Sequence, residues 1–167
     1  MRCLFFLLAF CISLSGYAQP VSEYDLKASF IYKIALYTEW PQTEQDSFNI
    51  CSLADANVGS AMKKLEGKRM GDRRVVVASL TSLAAIGECQ VLFIGERAII
   101  DLPKIIRLLA GKSILTVTDV PQLPFVGVVL ALEDQRLLFD VNLDLCRRLN
   151  LRPRSAMLRL ARNVKNG

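Results

Sequence analysis

No histidine occurs among the 167 residues. That removes Ser-His-Asp and Cys-His nucleophile–base arrangements and every zinc site built on imidazole. The five cysteines contain no C-x-x-C pair, so an all-thiolate metal site is not expected either. The longest uncharged apolar run at the N-terminus, residues 3–14, has twelve residues, whereas a helix needs about 20 to cross a bilayer. Internal repeats, low-complexity tracts and linkers are missing, which leaves one folding unit. Phosphate-binding fingerprints are missing too. The "AGKS" at 110–113 imitates the end of one, but the required first glycine would fall at Ile106, and a helix precedes it with a strand after, the reverse of the P-loop order. Gly111 is better read as a helix C-cap. Finally, no acidic residue follows Asp144, while Arg147, Arg148, Arg152, Arg154, Arg159, Arg162 and Lys165 do.

What is present begins with an export signal. Arg2 supplies a positive start, residues 3–14 the apolar stretch, and Gly16 and Ala18 the small residues of a cleavage site, so cleavage is expected between Ala18 and Gln19. The domain expectation is therefore a signal peptide over 1–18 and one domain over 19–167. Losing Arg2 lowers the net charge from +5 to +4 and leaves 149 residues, enough for one domain with a substantial core. Export makes nucleic acid an unexpected partner for the basic C-terminal stretch, which suits an acidic protein surface or anionic lipid instead.

The segment "KASFIYKIALYTEWP", residues 27–41, carries too many charges for a span, with Asp25 just before it and Lys27, Lys33 and Glu39 within it. Ser22, Asp25, Ser29 and Lys33 make one narrow polar stripe at helical spacing, and Leu26, Phe30, Ile31, Ile34, Ala35, Tyr37 and Trp40 fill the rest. The spacing predicts a buried core helix stopped by Pro41.

Further on, strands are expected over 48–53, in "RRVVVASL", over 91–94 and in "SILTVTD", with helical segments in "NVGSAMKKLEGK", "TSLAAIGEC" and "DLPKIIRLLAG". Asp101 is a candidate N-cap for the last of these. "VVLALED" and "RLLFDVN" flank Asp134–Gln135 and predict an antiparallel hairpin. Two helices, over 143–149 and 155–164, are expected to close the chain. Strands alternating with helices predict a single α/β domain: a mostly parallel central sheet, helices on both faces, and an antiparallel hairpin near the C-terminus.

Beyond residue 20 the cysteines are Cys51, Cys89 and Cys146. Cys51 lies within one predicted strand and Cys89 directly before another. Were those strands neighbours, the two sulfurs would come within reach, so Cys51–Cys89 is the expected bridge. Cys146 falls among helical apolar positions and is expected to be a free, buried thiol.

In this order, "KASFIYKIALYTEWP" after a signal peptide, "FNICSL", "GKRMGDRRVVV", "CQVLFIG" and the tail "FVGVVLALEDQRLLFDVNLDLCRRLNLRPRSAMLRLARNV" resemble the YfiR family of exported bacterial regulators. Phe139, Asn142, Leu158, Leu160 and Ala161 stand at the family's recurring positions, and the resemblance runs over about 27–164. It implies a periplasmic protein without catalytic activity or cofactor. Such a protein binds the periplasmic region of an inner-membrane diguanylate cyclase and represses it, and so controls cyclic-di-GMP and biofilm growth. A peptidoglycan-associated outer-membrane lipoprotein as sequestering partner, and a homodimer, are also implied. Cys51 and Cys89 match the family's cysteine pair, while the second close-spaced pair is missing here.

On this reading the protein is an interaction module that favours one state of its partner. The expected contact residues are Arg154, Met157, Arg159, Leu160 and Arg162, with Met157, Leu160, Ala161 and Val164 forming the apolar face of a terminal helix. The alternative is a periplasmic small-ligand-binding or sensor module using the loops at Gly95–Glu96–Arg97 and Thr118–Asp119. A redox enzyme using Cys146 is the least favoured, because a buried thiol lacks an activating neighbour.

Overall fold

The computed structural model describes residues 21–166, so the expected signal peptide and its cleavage site lie outside the described residues. Ser22 opens the first helix, α1 (Glu23–Leu36), its hydroxyl accepting from the Asp25 N–H at 3.2 Å. Ala28, Ile31, Ile34 and Ala35 recur at helical spacing and are buried. The helix stops at Leu36 rather than at Pro41. Tyr37 leaves the helical path, the buried Thr38 hydroxyl donates back to the Ile34 carbonyl at 2.8 Å, and the Arg154 N–H takes up the Tyr37 carbonyl at 2.9 Å. The chain then forms β1 (Thr38–Glu39), which pairs antiparallel with β9 (Arg152–Pro153) in a small sheet of its own.

The main sheet is built from β2 (Ser47–Leu53), β3 (Arg69–Met70), β4 (Arg73–Leu80), β5 (Val91–Ile94), β6 (Leu115–Thr118), β7 (Val128–Glu133), β8 (Arg136–Asn142) and β10 (Asn163–Lys165). Its helices are α2 (Ala56–Met62), α3 (Leu102–Leu109), α4 (Leu143–Arg148) and α5 (Ser155–Leu158). The spatial order is β10-β8-β7-β6-β5-β2-β4-β3. All neighbours run parallel except β7–β8 and β3–β4, as expected for strands linked by crossovers and closed by hairpins. Asp134 and Gln135 both take positive φ, 48° and 61°. Their backbone matches the twist of the β7–β8 hairpin.

Side-chain alternation divides the core in two. Phe48 and Ile50 of β2, with Val91 and Phe93 of β5, face α1 and α2, where they meet Ile31, Ile34, Val58 and Met62. Cys51, Leu53, Leu92 and Ile94 point the other way, onto Ile86, Ile105 and Ile114. Helical segments therefore lie on both faces, as the continuous apolar strands require. The Cys51–Cys89 disulfide is present within the second cluster, its Cα atoms 6.0 Å apart, because β2 and β5 are neighbours. Cys146 is a free, buried thiol.

Two expected helical segments differ in form. "TSLAAIGEC" makes only a tight 3-10 stretch over Leu83–Glu88. The terminal helix ends at Leu158, after which the chain extends into β10 beside β8. Sheet pairing wins there because Asn163, Val164 and Lys165 find ladder partners in Asp140, Val141 and Asn142. Val164 thus belongs to a strand and does not share a helical face with Met157 and Leu160. Among the described residues no helix is long and apolar enough to cross a membrane.

Candidate functional site

The hairpin strand β8, the second half of α1 and the short α5 leave a groove of about 710 Å³ between them. Phe30 of α1 meets Phe139 of β8 edge to face, ring centroids 6.2 Å apart, and the pair forms part of its floor. Met157, nearly fully buried, packs into the same floor from α5. The rim is open: Leu36 is 40 % exposed, Tyr37 43 % and Leu160 75 %. Leu160 is held out by the local fold, since the chain leaves α5 two residues earlier and turns toward β10. The charged side chains lining the groove are Lys33 and Lys68, and no acidic residue lines it. Neither lysine pairs with a carboxylate among the described residues; Lys68 sits over the Tyr32 ring, 5.1 Å from its centroid. The result is an apolar concavity under a positive field, suited to an apolar segment that carries negative charge.

The five residues expected at a partner surface have different surroundings. Met157 and Leu160 line this groove. Arg154 stands nearby, in a loose exposed pair with Glu39 at 3.4 Å. Arg159 is exposed. Arg162 lies on the other face of the sheet. Its Nε and Nη2 hold Asp140 at 2.9 and 2.5 Å, and its Nη1 also contacts Glu133. The Asp140 hydrogen bonds, against a smaller opposing effect of burial, raise the pKa of this guanidinium above its ordinary value. Arg162 thereby ties β10 to β7 and β8.

Phe30, Leu36 and Tyr37 were not singled out from sequence as surface residues. Their signal was present in α1, whose apolar positions are more numerous than one buried face can use. Lys27 was missed as well. It is 6 % exposed and joins Asp119 at 2.6 Å and Glu23 at 2.5 Å. Burial draws its pKa down, but the hydrogen bonds to Asp119 and Glu23 outweigh that and hold it above the ordinary lysine value.

The loops considered for a small ligand are engaged by the protein itself at Gly95, Thr118 and Asp119, whereas Arg97 lines a cleft of about 520 Å³ together with Asp55, Thr81 and Asp101. Strand order reverses between β2 and β5, and open parallel sheets hold ligands beyond the carboxyl ends of strands at such a point. Here the Gly95 N–H donates to the Leu53 carbonyl at 2.9 Å, and a Cβ on Gly95 would stand 2.8 Å from the Ala54 oxygen. Main chain closes the crevice at Gly95 itself. The Thr118 hydroxyl donates to the Ile94 carbonyl at 2.8 Å, and Asp119 is engaged by Lys27. Burial pushes the Cys146 thiol up to about 11, far from the range of a reactive thiolate. No group of three metal-ligating side chains forms among the described residues.

The model of the YfiR/HmsC-like family matches residues 24–162. The chain belongs to the YfiR/HmsC-like family. That family is regulatory rather than catalytic, and the match takes in α1, the disulfide and the groove-lining residues of β8 and α5. No curated protein matches the chain.

Proposed function

We propose that this protein is a non-catalytic periplasmic regulator that binds the periplasmic region of an inner-membrane diguanylate cyclase and represses it, limiting cyclic-di-GMP and biofilm formation. The observation that carries the reading is the α1–β8–α5 groove, whose floor is aromatic and whose charged lining is wholly cationic. Membership of a regulatory family supports it. Binding one state of the cyclase better than the other is sufficient for repression, and no bond need be made or broken. A peptidoglycan-associated outer-membrane lipoprotein competing for the same groove would relieve the repression. Homodimers are part of the reading. Export by a cleaved signal peptide places the domain where the disulfide forms and persists.

Titration of the purified domain into the cyclase's periplasmic region tests the reading. Saturable binding that is weakened by Leu160→Glu supports it, and absence of binding removes it.

A second reading, a small-ligand sensor, is favoured by one observation. The groove's volume of about 710 Å³ lies within the range of small-molecule sites. Thermal-shift screening against nucleotides, amino acids and sugars separates the two, since a ligand would raise the melting temperature without any protein partner.

A further inference from the structure

Among the described residues five polar or charged side chains are buried, and the fold satisfies four of them. Lys27 pairs with Asp119, the Thr38 and Thr118 hydroxyls donate to carbonyls, and the Thr116 hydroxyl accepts from the Gly127 N–H. The fifth is Ser52, 2 % exposed near the carboxyl end of β2, whose hydroxyl has no hydrogen-bond partner among the described residues. An unpaired buried hydroxyl costs stability and is rare in native folds. Its oxygen is not sealed in, because no fully enclosed side-chain oxygen lacks a partner among the described residues. Ser52 lines the cleft of about 520 Å³ formed where the chain leaves β2, β4 and β5. The β2–β4 register sets Ser79 beside it, and both hydroxyls lie within 2.7 Å of where a Cβ on Gly59 would stand. The missing side chain at that point of α2 leaves room for the hydroxyl pair.

The same cleft holds opposite charges that do not satisfy each other. Arg97 and Asp101 both line it from the 3-10 stretch Glu96–Asp101, and neither has an ion-pair or hydrogen-bond partner among the described residues. Asp55 adds a second carboxylate, whose Oδ1 accepts from the Val58 N–H at 2.9 Å while Oδ2 stays available. Such a lining repels a plain anion and offers a plain cation nothing for Arg97. A small zwitterion answers both signs. Its carboxylate matches a guanidinium bidentately, and its ammonium has three donors for carboxylate and hydroxyl oxygens. The place agrees with the rule that open α/β sheets take ligands beyond the carboxyl ends of their strands, and the volume lies within the small-molecule range.

We propose that this cleft binds a free α-amino acid with a small polar side chain, its carboxylate on Arg97, its ammonium on Asp101 and Asp55, and its remaining polar group on Ser52 and Ser79. The cleft shares no lining residue with the α1–β8–α5 groove, and the proposal does not rest on the partner assigned to that groove.

The test is calorimetric titration and thermal shift of the whole exported domain with glycine, L-serine, L-threonine and L-asparagine, each set against its N-acetyl and methyl-ester forms. At least one free amino acid should bind saturably and raise the melting temperature. Blocking either charge should weaken binding by about tenfold or more, as should Arg97→Gln or Asp101→Asn, because each removes a charge-assisted hydrogen bond. Ser52→Ala separates the site from the fold: it deletes an unpaired buried hydroxyl, so the ligand-free melting temperature should hold or rise while affinity falls. Leu160→Glu should leave affinity unchanged. Absence of saturable binding by all of the free amino acids would overturn the proposal, as would equal affinity for a blocked form or for Arg97→Gln. Binding lost in Leu160→Glu but kept in Arg97→Gln would overturn it in favour of the α1–β8–α5 groove. Since no cyclase is present, failure here leaves the regulatory reading untouched.

Discussion

Lys27 and Asp119, 92 residues apart in the chain, meet at 2.6 Å and clasp α1 to the end of β6. Lys27 is the first residue of the "KASFIYK" segment that carries much of the family resemblance. Its place in the structure gives that segment a physical role: α1 is held against the sheet by a partly buried ion pair as well as by apolar packing.

Replacing Lys27 with Met should therefore destabilise the domain by about 2 kcal/mol, because Asp119 and Glu23 are left without their cation in a partly buried setting. In a domain of this size that corresponds to a melting temperature lower by about 4–8 °C. The pH dependence has a definite sign. A lysine whose pKa is raised on folding contributes its full stabilisation below the ordinary value of 10.5 and loses it as pH climbs through the folded value. Urea denaturation at neutral and strongly alkaline pH should show the wild-type advantage over Lys27→Met shrinking only at the alkaline end.

Reducing Cys51–Cys89 opens a loop with a separation of 38 residues. On the loop-entropy model this costs about 4 kcal/mol. Chemical denaturation with and without reductant should show the unfolding free energy falling by about that amount, with a lower midpoint, and a Cys51→Ala, Cys89→Ala double variant should be insensitive to reductant.

Cys146 should stay unlabelled by iodoacetamide in the native domain at pH 8 and react once the domain is unfolded. Burial lifts its pKa from 9.0 to about 11, so the folded state holds the thiol proton more tightly than the unfolded one. The linked stability is intact below pH 9 and is lost as pH rises from 9 toward 11. Rapid native labelling would show that the α4 environment opens.

The sheet was legible because its strands are apolar on both faces and β-branched, a pattern that helices exposed to solvent do not show. The disulfide was legible for a related reason. Cys51 and Cys89 lie at predicted strands, and adjacency of those strands suffices to bring them together. The end of the chain was not legible. "SAMLRLARNV" has helical spacing, yet the ladder offered by the open edge of β8 takes residues 163–165, an interaction invisible in local pattern. For the same reason Arg162 faces Asp140 and Glu133 instead of extending the Leu160 surface. The groove was half legible: Met157 and Leu160 were named from sequence, but the α1 side was assigned wholly to core. An all-round apolar helix does not reveal which of its faces the fold will cover.

Leu160 is 75 % exposed, so Leu160→Glu should leave stability within about 0.5 kcal/mol of wild type. Met157→Ala, in contrast, removes a buried side chain and should cost about 2–3 kcal/mol. Comparing both variants by thermal denaturation separates the groove's rim from its floor.

The most direct test of the regulatory account is calorimetric titration of the oxidised domain and its Leu160→Glu variant against the purified periplasmic region of the host's membrane diguanylate cyclase. The account predicts binding by the wild type and a loss of about tenfold or more in the variant, as for an exposed apolar anchor at an interface. Equal affinity of the two, or no heat of binding from either, would contradict it.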